Sequence, residues 1–322
     1  MKVIIGRSLS IASACVLGAV CPQAVAANAV GRADSHRPAN LGKASLSRSI
    51  GQKPTPLLAL PRGTHPQSGD PRHPPPTRSL HSASNPFEVP WILWDSGLAG
   101  PLHEVGVLTH YEPSGQFRCT ATVVGPRVLL TAAHCVRDGA TGTWWTGFRF
   151  TPQVSGYSLA PRGSWTIAQV WTWHRYVSAS GGGKLPSDYA FLVTNGSVGY
   201  TTGWRGIWTG SPWGGIYHEG YAARACSSSN VAPCNLWYCH APIQRYLQLD
   251  PGLWDLGLTC DTNGGASGGP ILKHNSDGSW YVVSELTNGG LSNAANTIWA
   301  PYFDGRALTL WQDATNWANS HP

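Results

Sequence analysis

The stretch Gly265-Ala266-Ser267-Gly268-Gly269-Pro270 sets a serine among three glycines and a proline. A serine hydroxyl stays protonated at neutral pH and attacks poorly on its own. It becomes a nucleophile when a base within hydrogen-bond reach takes its proton and a third group orients that base. Two upstream strings offer those groups. Thr131-Ala132-Ala133-His134-Cys135 supplies a histidine, and Ser187-Asp188-Tyr189-Ala190-Phe191-Leu192 supplies an aspartate. Taken singly, a histidine is commonly structural, a loop aspartate is commonly a turn cap, and Gly-Gly-Pro is commonly just a turn. Together, in the order His, Asp, Ser, they point to nucleophilic catalysis.

The chain around these strings reads as β. Only 12% of its 322 residues are charged, and it holds 38 Gly and 25 Pro, a loop-rich composition unlike a helical bundle. Short apolar runs at 105–109, 121–124, 128–131, 165–170, 189–193 and 280–283 are bounded by Gly, Pro, Asn and Ser. That spacing predicts an all-β barrel or sandwich. Near the end, Leu308, Leu310, Trp311, Ala314 and Trp317 approach helical spacing and predict a C-terminal amphipathic helix. The 16 Trp are read chiefly as core and strand-face residues.

The net charge of +6 is unevenly placed. Residues 1–86 balance to +8 and residues 87–322 to −2. Phosphate binding needs clustered positive charge on the folded part, so a nucleic-acid partner is not expected. Residues 1–26 read as a secretory signal peptide. Lys2 and Arg7 precede a short apolar core, and Ala24-Val25-Ala26 suits cleavage. The apolar run is too short for a membrane span, so no membrane association is expected after signal removal. Residues 27–86 form a basic stretch rich in Pro and Ser, with His73-Pro74-Pro75-Pro76 as its most rigid part. This composition buries too little to offset its ordering entropy, and the segment is expected to be a disordered prosegment or linker.

Two of the eight cysteines, Cys15 and Cys21, lie in the signal segment. The other six suggest three disulfides in an exported chain. Cys119–Cys135 would fix the histidine loop. The remaining four allow three pairings, of which Cys226–Cys234 and Cys239–Cys260 are favoured. Neither paired CxxC strings nor HExxH occur, so no metal is expected, and no cofactor either. Asn195-Gly196-Ser197 matches a glycosylation sequon but reads as a plain turn.

With these motifs in hand, residues 87–322 resemble the secreted chymotrypsin-like serine proteases. The resemblance implies two six-stranded antiparallel β-barrels, at about 87–205 and 206–305, and a C-terminal α-helix at about 306–318. It implies His134 as base, Asp188 as orienting acid and Ser267 as nucleophile. The backbone N–H groups of Gly265 and Ser267 would form the oxyanion hole. Ala266 stands where digestive members carry an aspartate that pairs with a newly cut N-terminus, so that activation switch is absent here. Thr262-Asn263-Gly264-Gly265-Ala266-Ser267-Gly268 is instead similar to the glutamyl-endopeptidase branch. In that branch the mature amino terminus can help hold an acidic substrate side chain, a role that a terminus near residues 87–89 would fill.

The resemblance puts the substrate pocket at Asp261, Thr262 and Asn263 and along the later strand at Ser284, Leu286 and Thr287. Asp261 lies six residues before the nucleophile, as does the aspartate of trypsin-like pockets, and this likeness implies selection of Arg or Lys. The segment 284–288 lacks the histidine that lines the pocket of glutamyl-specific relatives. The expected function is a secreted, monomeric serine endopeptidase acting on polypeptides through an acyl-enzyme. The alternatives are an esterase with the same triad and an inactive binding or adhesion module on the same fold.

Overall fold

Strand β3 (Val105–Glu112) turns back through Pro113-Ser114 into β4 (Gly115–Val123), and the pair is in register from Val105↔Thr122 to Glu112↔Gly115. Four more strands join them: β5 (Val128–Thr131), β6 (Thr146–Pro152), β7 (Trp165–Trp173) and β8 (Ala190–Thr194). The hydrogen-bonded order is β6-β3-β4-β5-β8, and β7 pairs with both β6 and β8. The sheet therefore closes on itself as a six-strand antiparallel barrel with no free edge along most of its length. Leu108, Ala121, Leu129, Phe150, Val170 and Leu192 fill its interior.

This computed structural model describes residues 33–37, 87–88, 101–154, 162–209, 215–222, 236–250, 253–260, 262, 264–275, 279–289 and 297–322. All of them belong to one unit, Gly31–Pro322. The expected signal peptide, the proline-rich stretch after residue 37, and Cys226 and Cys234 lie outside the described residues.

Strands β5 and β8 are buried on both faces, which is why they read as unbroken apolar runs rather than alternating ones. Their outer face is covered by the C-terminal helix Gly305–Ser320. The helix lays Ala307, Leu310, Ala314 and Ala318 against Leu130, Phe191, Trp171 and Trp173. The spacing predicted the helix correctly, but small alanines form the buried stripe and Leu308 stands beside it. Asp304 caps its start, accepting from the Arg306 N–H at 2.8 Å. Trp311 Nε1 donates to the Val124 carbonyl at 3.1 Å, tying the helix to the barrel.

The second lobe is one long sheet. Its strands are β10 (Gly215–Gly220), β11 (Trp237–Asp250), β12 (Leu253–Leu258), β13 (Pro270–His274), β14 (Trp280–Glu285) and β16 (Ile298–Pro301). They run β16-β12-β11-β10-β13-β14, all antiparallel. Two-residue strands add to it: β2 (Phe87–Glu88), β9 (Gly206–Ile207) and β15 (Asn288–Gly289) pair with β11, β14 and β16. Ile216, Leu256, Leu258, Ile271, Val283 and Ile298 form its core. The expected second barrel is thus only partly drawn. Among the described residues no ladder joins β14 to β16; the Thr287 N–H to Trp299 carbonyl bond (3.0 Å) and the Ser284 hydroxyl to Pro301 carbonyl bond bring their ends together instead.

One finding departs from the expected disordered N-terminal segment. Ala33–His36 form a strand, β1, which pairs antiparallel with β7 from Ala33↔Trp173 to His36↔Val170.

Candidate active site

His134 sits on a short 3₁₀ turn, Ala133–Cys135, directly after β5. Ala132, Ala133 and Cys135 are wholly buried, and Cys135 is bonded to Cys119 of β4. The small apolar residues and the disulfide sink the turn into the barrel wall, leaving the His134 side chain 35% exposed. Closing such a loop covalently removes about 3 kcal/mol of chain entropy from the unfolded state. Trp145 Nε1 donates to the His134 carbonyl at 3.0 Å and holds the turn from the other side. The second expected bridge, Cys239–Cys260, is also formed, between β11 and the end of β12.

Asp188 follows the 3₁₀ helix Gly181–Ser187 and is buried at the mouth of β8. Its two oxygens divide the work. Oδ1 accepts the His134 backbone N–H at 2.8 Å, and Oδ2 lies 2.9 Å from His134 Nδ1. A carboxylate only accepts, so Nδ1 carries the hydrogen and the lone pair of the neutral ring falls on Nε2. Burial alone would lower the His134 pKa. The Asp188 charge, its hydrogen bond and the more distant Glu112 charge outweigh that and hold it above the ordinary 6.5.

The Ser267 loop is locked between the two lobes by its main chain. Thr120 of β4 is the hub: its N–H donates to the Ser267 carbonyl, and its hydroxyl donates to the Gly265 carbonyl, both at 2.8 Å. The Tyr221 N–H in turn donates to the Thr120 hydroxyl at 2.9 Å. From the second lobe, the Gly268 N–H donates to the Leu286 carbonyl at 2.7 Å and the Leu286 N–H to the Gly269 carbonyl at 2.8 Å. Gly268 has φ of +79°, and a Cβ there would lie 2.0 Å from Thr131 Oγ1 and 2.4 Å from the Thr120 carbonyl. Only glycine lets the serine loop approach the strand that leads into the His134 turn this closely.

The structure thus brings the three candidate residues onto adjoining loops. His134 and Asp188 are hydrogen-bonded, while Ser267 is held against the His134 turn through its backbone, with its carbonyl 3.9 Å from Cys135 Sγ. Among the described residues the Ser267 hydroxyl makes no hydrogen bond to His134, and the N–H groups of Gly265 and Ser267 have no acceptor. Ala266 is buried in the second-lobe core, where a Cβ built on Gly220 would lie 3.0 Å from its own.

The expected pocket residues scatter. Asp261 and Asn263 lie outside the described residues. Ser284 is buried and spends its hydroxyl on the Pro301 carbonyl. Leu286 points into the core and contributes its backbone to the serine loop. Thr287 is buried and donates to Glu285 Oε1 at 3.1 Å. Thr262 is partly exposed.

Two acids that the sequence did not single out flank Asp188. Glu285 ends β14 and Asp255 lies mid-way along β12, both fully buried. Among the described residues, neither oxygen of Asp255 and not Oε2 of Glu285 has a hydrogen-bond partner. Burial raises both pKa values, and the nearby Asp188 charge raises them further; Asp255 is pushed up to about 8 and Glu285 well above the usual carboxylate range. The available signal was a lone acid inside an apolar run, as in Leu253-Trp254-Asp255-Leu256.

No protein-family model matches the chain. A thermostable serine protease, AL20 from an extremophilic microorganism, is 25% identical and superposes with a TM-score of 0.55 over 67% of this chain and 98% of that one. The chain has the chymotrypsin-like serine protease fold. Glutamyl endopeptidase of Bacillus licheniformis is 26% identical over 213 residues, 63% of this chain and 60% of the relative. A Bacillus subtilis protein named extracellular metalloprotease is 28% identical over 187 residues, 56% of this chain and 53% of the relative. The chain therefore spans only between half and two thirds of the length of these two relatives. On this chymotrypsin-like fold the donor set does not suit the metal that the second name implies. Among the described residues the one close group of potential ligands is Cys119, His134 and Cys135. Its two sulfurs are bonded to each other, and the Nδ1 of its histidine is held by Asp188.

Proposed function

We propose that the chain is an exported serine endopeptidase that hydrolyses polypeptides through an acyl-enzyme. The observation that carries this reading is the paired grip of Asp188 on the His134 N–H and Nδ1, on a turn that abuts the Ser267 loop. With Nδ1–H committed to Asp188, Nε2 is the free base. Ser267 Oγ attacks the scissile carbonyl carbon as its proton passes to Nε2. The C–N bond then breaks, the amine departs with that proton, and the acyl group stays on Oγ. Water, deprotonated by the same Nε2, attacks the ester and releases the acid. Asp188 stabilises the imidazolium formed in each half. The N–H groups of Gly265 and Ser267, which have no acceptor among the described residues, are the donors offered to the developing oxyanion, each such donor being worth about 10²–10³ in rate.

The two disulfides among the described residues and the extracellular relative support export. The test is a fluorophosphonate probe on folded, processed protein. Labelling at Ser267 that disappears in Ser267→Ala is the expected result. An unlabelled wild-type protein would overturn the reading and leave a binding module on the same fold.

A further inference from the structure

The barrel closes imperfectly at one place, and the N-terminal strand fills it. Strand β6 pairs with only the first two residues of β7, at Phe150↔Trp165 and Arg149↔Thr166. Strand β8 covers the opposite edge of β7 as far as Thr172. Among the described residues no other ladder follows β6 on that edge until β1 takes up Val170 to Trp173. An open strand edge next to a closed barrel is a template for an extended peptide, which binds it by main-chain hydrogen bonds and is selected by side-chain contacts.

Those contacts are specific. Asp34 Oδ2 accepts from Arg137 Nη1 at 2.7 Å and lies 3.0 Å from His174 Nδ1. Asp34 and Arg137 are 17% and 11% exposed, so the pair is largely shielded from water. Arg137 also stacks over Trp144 at 4.4 Å, and His36 lies flat on the same indole with ring centroids 5.0 Å apart. A charge-assisted bond and a ring stack thus tie four residues that bury no large aliphatic side chain to Arg137 and Trp144, which a cation–π contact holds together. Ser35 faces outward.

We propose that the β7 edge is a built acceptor site for the strand Ala33-Asp34-Ser35-His36, and that this strand stays bound as a separate peptide after the chain is cut between residues 38 and 86. While the linker is intact, tethering supplies an effective concentration on the order of mM. After the cut only the strand's own affinity remains. The anchor is also connected to the candidate base: Arg137 lies three residues after His134, its N–H donating to the Ala133 carbonyl of that turn, and the Arg137↔Trp144 bridge leads into Trp145, which holds the His134 carbonyl. The proposal does not depend on the protease reading.

The test uses the full chain carrying Ser267→Ala, with a recognition sequence for an added site-specific protease inserted near residue 60. After cleavage, gel filtration and mass spectrometry follow the N-terminal fragment. It should co-elute with the remainder of the chain, and Ser35→Ala should co-elute equally well. Asp34→Asn should weaken retention about tenfold or more, read as the concentration at which half the fragment is lost. The idea fails if the wild-type fragment elutes alone while the larger piece keeps its native near-UV circular dichroism. It fails equally if Asp34→Asn is retained as firmly as wild type, because the anchor would then not select the strand.

Discussion

The two sides of Asp188 are built on opposite principles. The barrel side offers it two hydrogen-bond donors, the His134 N–H and Nδ1–H, at 2.8 and 2.9 Å. The second-lobe side offers two further carboxyls, Asp255 and Glu285, with three of their four oxygens unpartnered among the described residues. A buried anion is tolerable where donors meet it, and Asp188 has two; the other two acids have few, and burial together with the Asp188 charge raises the pKa of Asp255 to about 8 and that of Glu285 well above the usual carboxylate range. The barrel side serves the candidate chemistry. The second-lobe side supplies a water-poor wall in which burial favours the neutral form of both acids, at a standing cost in stability.

The largest test of this comparison is to disable the barrel side. On the proposed mechanism Ser267→Ala or His134→Ala should each lower kcat by about 10⁶-fold on a chromogenic peptide, because members of such a triad act as a unit. Asp188→Asn should cost about 10⁴-fold, since an amide can present an N–H to Nδ1 and favour the wrong tautomer. In the same variant, Asp255 and Glu285 lose a neighbouring negative charge, so their pKa values should fall towards the ordinary range, as read by carbonyl-region infrared difference spectra. Unmoved carboxyl bands would show that Asp188 is not what suppresses them. The wild-type rate should also fall on the acid side with a midpoint above 6.5, because protonating His134 removes the base and its pKa is raised. A midpoint at or below 6.5 would contradict the grip of Asp188 on the ring.

A smaller effect tests the second-lobe side. Asp255 titrates near its ordinary 3.8 when unfolded and at about 8 when folded. Between those values the unfolded chain has already released a proton that the folded chain still holds. Stability contributed by this group is therefore present in full below pH 3.8 and is lost as pH rises towards 8, at up to about 1.4 kcal/mol per unit. Asp255→Asn removes that slope. Urea melts at pH 5 and pH 8 should show the variant gaining on wild type at the higher pH; a constant difference would mean that Asp255 is ionised in the fold.

What the sequence made legible was whatever is local and dense. The runs around His134, Asp188 and Ser267 each pack several diagnostic residues into five or six positions, and the cysteine beside His134 announced its own bridge. Asp255 and Glu285 are single acids in apolar strands. Their approach to Asp188 is made by the β12–β16 and β13–β14 ladders, across separations no window of sequence spans. Thr120, the hub of the serine loop, looks like any β-strand threonine until Gly265 and Ser267 arrive from about 145 residues away. The strand at Ala33–His36 was hidden for another reason. Composition averaged over a long polar segment argues from burial, whereas these four residues are held by a ladder, an ion pair and a stacked ring.

The finest test separates a neutral Glu285 from a charged one. Glutamine has the shape of a protonated glutamic acid, and its carbonyl can still accept from Thr287 Oγ1 as Glu285 Oε1 does at 3.1 Å. If Glu285 is neutral at pH 7, Glu285→Gln should leave kcat/KM within about twofold of wild type, the size expected when no charge or volume changes. The acid-side midpoint of the pH–rate profile should stay in place too. If Glu285 were ionised, it would help Asp188 stabilise the His134 imidazolium, and removing its charge would drop that midpoint towards or below 6.5. A downward shift would therefore move negative charge to the second-lobe side and end the contrast between the two. An unmoved midpoint with an unmoved rate leaves the hold on the base to Asp188 from the barrel side, with no charge contributed by Glu285.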